Sequence, residues 1–172
     1  IDHIKIREPG GHKNSEKIRN LILNNKSNFN NNTDLLLYLA ARSENIEYLK
    51  GCYKKKIILI DRFIDSTIAY QHFGMGVDLS IIKKINNHLI KNFNVNFTFL
   101  NTVNQKNMKI RLKKRKKLNR YDLFDYNFYR RVQNGFLKIA KKNKSKYQII
   151  DSNKEIKFNK EVIINKIKNL IT

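Results

Sequence analysis

Two acid–arginine pairs, Arg7-Glu8 and Asp61-Arg62, each close a short run that reads as a strand: His3-Ile4-Lys5-Ile6 before the first, Ile57-Ile58-Leu59-Ile60 before the second. Ligands of open parallel sheets bind beyond the carboxyl ends of the strands, so both pairs face the expected crevice. Each pair alone reads equally well as a structural ion pair. Pro9-Gly10-Gly11 follows the first pair and can bring backbone close to a ligand, or simply turn the chain. Tyr38 and Arg42 lie four residues apart in a helical pattern, so a ring and a guanidinium share one face. Such a face can stack on a base and donate to its carbonyl; it can also be a half-buried Tyr beside a surface Arg. After Asp61-Arg62, Ser66 pairs with Tyr70 and Thr67 with Gln71 at the same spacing, an unusually polar run beside a buried strand.

The elements that must position these groups alternate. Three apolar runs, Ile57 to Asp61, Asn96 to Asn101 and Tyr147 to Asp151, suit strands buried on both faces. Helical patterns cover Ser15 to Leu23, Thr33 to Cys52, Ser66 to Phe73, Asp78 to Phe93, Val103 to Lys117, Tyr126 to Lys142 and Lys160 to Ile171. In the fourth, Ile82, Ile85, Leu89 and Phe93 form one stripe behind an Asp78 cap. The tract Asn24 to Asn32 reads as a loop. This alternation predicts an α/β fold with a largely parallel sheet in one domain.

Composition narrows the chemistry. The 172 residues carry 36 Lys and Arg against 14 Asp and Glu, a formal charge of +22. A basic footprint invites a nucleic-acid reading. Yet Lys is spread along the whole chain, Asn replaces other polar residues just as freely, and Gly, Pro and Trp are scarce. That skew is expected of A+T-rich codons and places most of the charge on solvated faces. No stretch approaches the roughly 18 apolar residues of a membrane span. Cys52 is alone and cannot form an internal disulfide, and the four His lack metal-ligand spacing; a reducing cytoplasm fits best. The first residue is Ile rather than Met, so a natural start is expected upstream.

Read together, IREPGGH (6 to 12), SEKIRNLIL (15 to 23), LYLAAR (37 to 42), IDRFIDSTIAYQ (60 to 71) and FYRRVQNGFLKIA (128 to 140) resemble the thymidylate kinase family, in order and from the first residue to the final helix. The resemblance implies a P-loop-kinase-like, three-layer α/β fold with a parallel sheet in the order 2-3-1-4-5. It also implies transfer of the γ-phosphoryl of ATP to dTMP with Mg²⁺, giving dTDP, by a cytoplasmic homodimer without specific nucleic acid or membrane partners. The acceptor oxygen is already anionic, so alignment and charge neutralisation suffice without a general base.

Carried over residue by residue, the resemblance assigns Arg62 to the acceptor phosphate and the transferred group. Asp61 would place Mg²⁺ through water, and Glu8 would lie near the metal and the deoxyribose 3′-hydroxyl. Arg19 would reach the phosphate. Tyr38, standing for the usual Phe, would stack on thymine, and Arg42 would donate to a thymine carbonyl. Ser66, Thr67 and Gln71 would contact base or phosphate, and the Tyr70 ring would crowd the ribose 2′ position. Residues 111 to 121, RLKKRKKLNRY, resemble the family's mobile lid, with Arg111, Arg115 and Arg120 supplying positive charge to the ATP phosphates. His12 stands for Thr, Phe136 for Tyr and Asn101 for Asp.

A P-loop kinase needs G-x-x-x-x-G-K-[ST] after its first strand, and no such motif occurs here. The expectation is therefore an amino-terminally incomplete kinase, lacking the first strand and P-loop, and inactive as it stands. Two other readings compete. A deoxynucleoside kinase shares the layered fold and an acid–Arg strand end, but its neutral acceptor wants a carboxylate base. A non-enzymatic basic nucleic-acid-binding protein would interleave aromatic and basic residues on an exposed sheet, a pattern this sequence lacks.

Overall fold

A computed structural model describes residues 2–91 and 93–171. In chain order the elements are β1 (His3–Arg7), α1 (Lys13–Leu23), α2 (Asn31–Lys50), β2 (Ile57–Asp61), α3 (Ile64–Thr67), a π-helix (Ile68–Gly74) and α4 (Leu79–Leu89). They continue with β3 (Thr98–Thr102), α5 (Gln105–Lys113), a 3-10 turn (Arg120–Leu123), α6 (Tyr126–Lys142), a second 3-10 turn (Lys144–Lys146), β4 (Tyr147–Asp151) and α7 (Ile156–Ile171). The α/β reading holds.

Side chains of the Asn-rich sequence set many of these boundaries. The Asn30 side chain accepts from the Thr33 N–H at 2.9 Å and starts α2, so Asn31 and Asn32 belong to the helix rather than to the expected loop. Asn104 starts α5 in the same way, accepting from the Asn107 N–H at 2.8 Å. Asn119 and Asp122 form a capping box on the Arg120–Leu123 turn. Asp78 caps α4 as expected, accepting from the N–H groups of Ser80 at 2.6 Å and Ile81 at 3.2 Å. Helix α4 ends at Leu89, before Phe93, and α5 ends at Lys113, short of the expected Lys117.

Strands β1 and β2 pair in parallel with Arg7 opposite Asp61, and β3 pairs with β4 in parallel with Thr102 opposite Asp151. With β1 to β4 counted as the second to fifth strands of the family order 2-3-1-4-5, both pairings occur in it. Each sheet has two strands. The expectation of burial on both faces fails for Leu59 and Ile149, which are 42% and 54% exposed, because an apolar run is buried only where neighbouring layers cover it.

The chain forms two compact units, one running to Asn94 with Leu118–Phe136, the other comprising Val95–Lys117 and the residues from Leu137 onward. In the first unit, Leu35 and Leu39 of α2 pack against Val77 and Ile82 of α4's approach and first turns. A second cluster joins Ala69 of the π-helix to Phe128 and Val132 of α6. In the second unit, Leu100 of β3 and Ile150 of β4 are the buried strand residues, and Arg111 Nη2 donates to the Ser152 carbonyl at 2.5 Å. No helix among the described residues is long and apolar enough to cross a membrane.

Gly135 lies inside α6, where a Cβ would meet Phe73 Cδ2 at 2.5 Å and Cγ at 2.7 Å. Alanine gains about 1 kcal/mol of helix propensity, whereas overpacking costs about 1–3 kcal/mol. Gly135→Ala is therefore expected to lower the urea midpoint without changing the slope, and an unchanged or raised midpoint would show that Phe73 yields freely.

Candidate functional site

The parallel register brings the ends of β1 and β2 side by side, and the Glu8 N–H donates to the Asp61 carbonyl at 2.9 Å. The two acid–arginine pairs do not close on themselves. Arg7 turns to α1 and meets Glu16 at 3.1 Å, while Glu8 turns into the protein and meets Arg42. Glu16 also accepts from the Gly11 N–H at 2.7 Å. That bond and Arg7 hold its carboxyl below the ordinary range, against a partial loss of solvent that pushes the other way.

The Pro-Gly-Gly turn is filled from within. Glu8-Pro9 is cis, and Gly10 and Gly11 both have φ of +107°. A Cβ on Gly10 would meet Glu16 Oε1 at 2.5 Å, and one on Gly11 would meet Ile6 Cγ1 at 2.4 Å. The glycines thus let α1 and β1 side chains approach the turn, where the sequence suggested room for a ligand. Asn45 of α2 fastens it, donating to the Gly10 carbonyl at 2.8 Å and accepting from the His12 N–H at 3.1 Å. Arg19 donates to the Pro9 carbonyl at 2.6 Å, and its guanidinium pKa is lowered by burial and by Arg7.

Arg42 is 1% exposed rather than on the surface. Its Nε and Nη2 donate to Glu8 Oε2 at 2.8 and 2.6 Å, Nη2 donates to Thr67 Oγ1 at 2.9 Å, and Nη1 donates to Asn86 Oδ1 at 2.5 Å. Four of its five N–H groups are thereby engaged, and the second N–H of Nη1 has no partner among the described residues. Burial pushes the Glu8 carboxyl up, and Arg42 pulls it back.

The polar run after β2 is not a plain α-helix. Helix α3 lasts four residues and passes into the seven-residue π-helix, which the Met75 N–H closes by donating to the Tyr70 carbonyl at 3.0 Å. Thr67 and Gln71 are buried, whereas Ser66 is half-buried. Gln71 Nε2 donates to Asp34 Oδ2 at 3.1 Å, while its Oε1 is buried with no partner among the described residues.

Arg62 leads into this run with φ of +63°, the left-handed region that an arginine rarely adopts. It is exposed, with its guanidinium carbon 5.1 Å from the Tyr70 ring centre. Tyr70 and Tyr38 each meet the Tyr121 ring edge-on, at 5.8 and 5.9 Å. Burial pushes the Tyr38 hydroxyl up to about 12, so it stays neutral. Phe136 extends this cluster from the other side, 6.3 Å from Tyr70.

The first unit therefore gathers Glu8, Arg19, Tyr38, Arg42, Thr67, Tyr70 and Gln71, with Asp61 and Arg62 at the strand end. Asp61 is exposed and lines a cavity of about 390 Å³ with Arg7 and Glu16. Arg120 belongs to the same unit but is paired with Asp34. Arg111, at the end of α5, and Arg115, just beyond it, belong to the second unit.

Sequence reasoning missed Asp34, Asn45 and Asn86. Asp34 lies at i−4 from Tyr38 and i−8 from Arg42, on their helix face, and Asn86 interrupts the apolar stripe between Ile82 and Leu89. A polar residue at a core-facing position is the signal that could have found both.

No group of three or more His, Cys, Asp or Glu among the described residues could hold a metal ion. The exposed carboxylate of Asp61 suits a hydrated Mg²⁺ whose other ligands come with a nucleotide's phosphates; Glu8, buried against Arg42, does not offer itself in the same way.

A thymidylate kinase family model matches residues 2–163. A thymidylate kinase of Geobacillus sp. (strain WCH70) is 34% identical over 161 residues, spanning 91% of this chain and 77% of that protein. One of Wolbachia pipientis wMel is 37% identical over 149 residues, spanning 86% and 73%. The crystal structure of thymidylate kinase from Ehrlichia chaffeensis superposes with a TM-score of 0.73 at 33% identity, covering 99% of this chain and 82% of the other.

Proposed function

Because the chain belongs to the thymidylate kinase family, we propose that it transfers the γ-phosphoryl group of ATP to dTMP and releases dTDP. The observation that carries this reading is the pair of buried, half-satisfied polar groups at Arg42 and Gln71: one spare N–H on Arg42 Nη1 and one spare acceptor on Gln71 Oε1. Thymine offers a matching carbonyl and imide N–H. Burying a polar group unpaired is costly, so a ligand that completes both is selected.

In this reading Tyr38 stacks on the base, and Thr67 orients Arg42. The Tyr70 ring crowds the ribose and supports Arg62, whose guanidinium takes the acceptor phosphate with help from Arg19. Arg111 and Arg115 bring positive charge to the ATP phosphates from the lid-like segment 111 to 121. Asp61 would hold Mg²⁺ together with the ATP phosphates, and the ion would supply neutralisation of their charge. We assign the active form to a cytoplasmic homodimer, which sedimentation will test.

Isothermal calorimetry with dTMP, thymidine and a single-stranded oligonucleotide, together with a dTDP-forming assay using ATP on the chain joined to a P-loop-bearing strand and helix, distinguishes the three readings. Tight binding of dTMP with dTDP as product supports the proposal. Thymidine as the better acceptor would favour a deoxynucleoside kinase, and salt-sensitive oligonucleotide binding without dTMP binding would favour a nucleic-acid-binding protein.

A further inference from the structure

We propose that Asp34 is a positioning residue that fixes the polarity of the Gln71 amide and, through Tyr121 and Arg120, fastens that setting to the 3-10 turn Arg120–Leu123. The inference rests on the reading of Gln71 as a contact to the base.

An ionised carboxylate only accepts hydrogen bonds, whereas an amide has one donating and one accepting end. Asp34 is 1% exposed and Gln71 is fully buried, so water cannot mediate between them. Asp34 Oδ2 faces Gln71 Nε2 at 3.1 Å. The reverse orientation would set the amide oxygen against the carboxylate and leave the NH₂ elsewhere. Asp34 thereby decides which end of Gln71 is offered to a ligand, and it offers the acceptor.

Two further donors hold Asp34 in place. The Tyr121 hydroxyl donates to Oδ2 and Arg120 Nη2 donates to Oδ1. With its proton committed to Asp34, the Tyr121 oxygen accepts from Gln71 Nε2 at 3.4 Å, which repeats the same instruction to the amide. Tyr121 is 6% exposed, and its ring also meets Tyr38 and Tyr70 edge-on. One residue of the turn thus touches both the aromatic cluster and the carboxylate that orients Gln71.

The functional consequence is discrimination at one ring position. A base with an N–H at that position completes Gln71 Oε1. A base with a lone pair there sets two acceptors face to face. Asp34→Asn keeps the shape of the side chain but can donate as well as accept, so the amide can turn over.

The test compares dTMP with 5-methyl-dCMP by calorimetry in the full chain and in Asp34→Asn, with a cooperative thermal transition as the check on folding. The two ligands differ at this ring nitrogen and at the adjacent carbon, which carries an oxygen in one and an NH₂ in the other, so the readout is the change in preference on substitution rather than the preference itself. We expect Asp34→Asn to weaken dTMP binding about tenfold or more and to leave 5-methyl-dCMP unchanged or tighter, so the preference narrows by at least about tenfold. Equal weakening of both ligands would reduce Asp34 to a structural role and overturn the inference. Should Asp34→Asn fail to fold, Tyr121→Phe decides. It keeps the ring and removes one donor, and it must narrow the preference by about threefold or more; an unchanged preference overturns the inference. Failure of the unsubstituted protein to bind dTMP would instead overturn the reading of the site, and the inference with it.

Discussion

With a P-loop-bearing strand and helix from a related kinase joined to the chain, Arg62→Ala is expected to lower dTDP formation by about two to three orders of magnitude while the thermal midpoint moves by only a few degrees. Arg62 stands where β2 ends, in a left-handed conformation, with its guanidinium over the Tyr70 ring and exposed to solvent. Strain of this kind persists where surrounding structure imposes it, and alanine inherits it, so stability changes little. The acceptor phosphate, in contrast, loses its positioning cation. Binding offers an independent readout. The unsubstituted protein should prefer dTMP to thymidine strongly, and the variant should lose most of that preference because only dTMP carries the phosphate. Near-normal turnover together with an intact preference would remove Arg62 from the reaction.

Arg42→Ala should act first on the fold. Its guanidinium and the Glu8 carboxylate are both buried, 2.6 Å apart, and truncating Arg42 strands that carboxylate without its cation. Breaking such a pair from one side costs about 3–5 kcal/mol. Urea denaturation should therefore show a large fall in midpoint, and the double variant Glu8→Gln, Arg42→Met should recover part of it by removing both charges. A loss below about 1 kcal/mol would mean that water or rearrangement satisfies Glu8. Base recognition must be measured where the variant is still folded, and there, in the chain joined to a P-loop-bearing segment, dTMP binding should weaken more than ATP binding.

Much of this architecture was readable from local pattern. The strand ending at Asp61, the Asp78 cap and the Ile82-Ile85-Leu89 stripe each carry their own periodicity or chemistry, and the structure bears them out as elements, though not the burial of that strand on both faces. The motifs also named most residues that meet around Tyr38, Arg42 and Gln71. What pattern could not supply was pairing over distance. Glu8 finds Arg42 thirty-four positions away, and Arg7 finds Glu16 instead of its neighbour. The role of Gly10 and Gly11 depends on where Glu16 and Ile6 arrive, which no turn propensity encodes. The run after Arg62 was read with helical spacing, because a hydrophobic period of 3.6 cannot announce bonds that span five residues. Its end is fitted to a distant element as well: a Cβ on Gly74 would meet Phe128 Cε2 at 2.7 Å.

That wide turn also acts as a phase setting for everything downstream. A π-helical segment is an α-helix that holds one residue too many, and losing a residue anywhere between Ile68 and Gly74 would let it close into ordinary α-helix. The chain would remain hydrogen-bonded, yet each later side chain would rotate to the place of its neighbour, and Gln71 would exchange its buried position for one beside it. In this stretch a one-residue gap between relatives is consequently a change of which amide or ring points inward, so alignment columns here carry meaning only when the helix type is known.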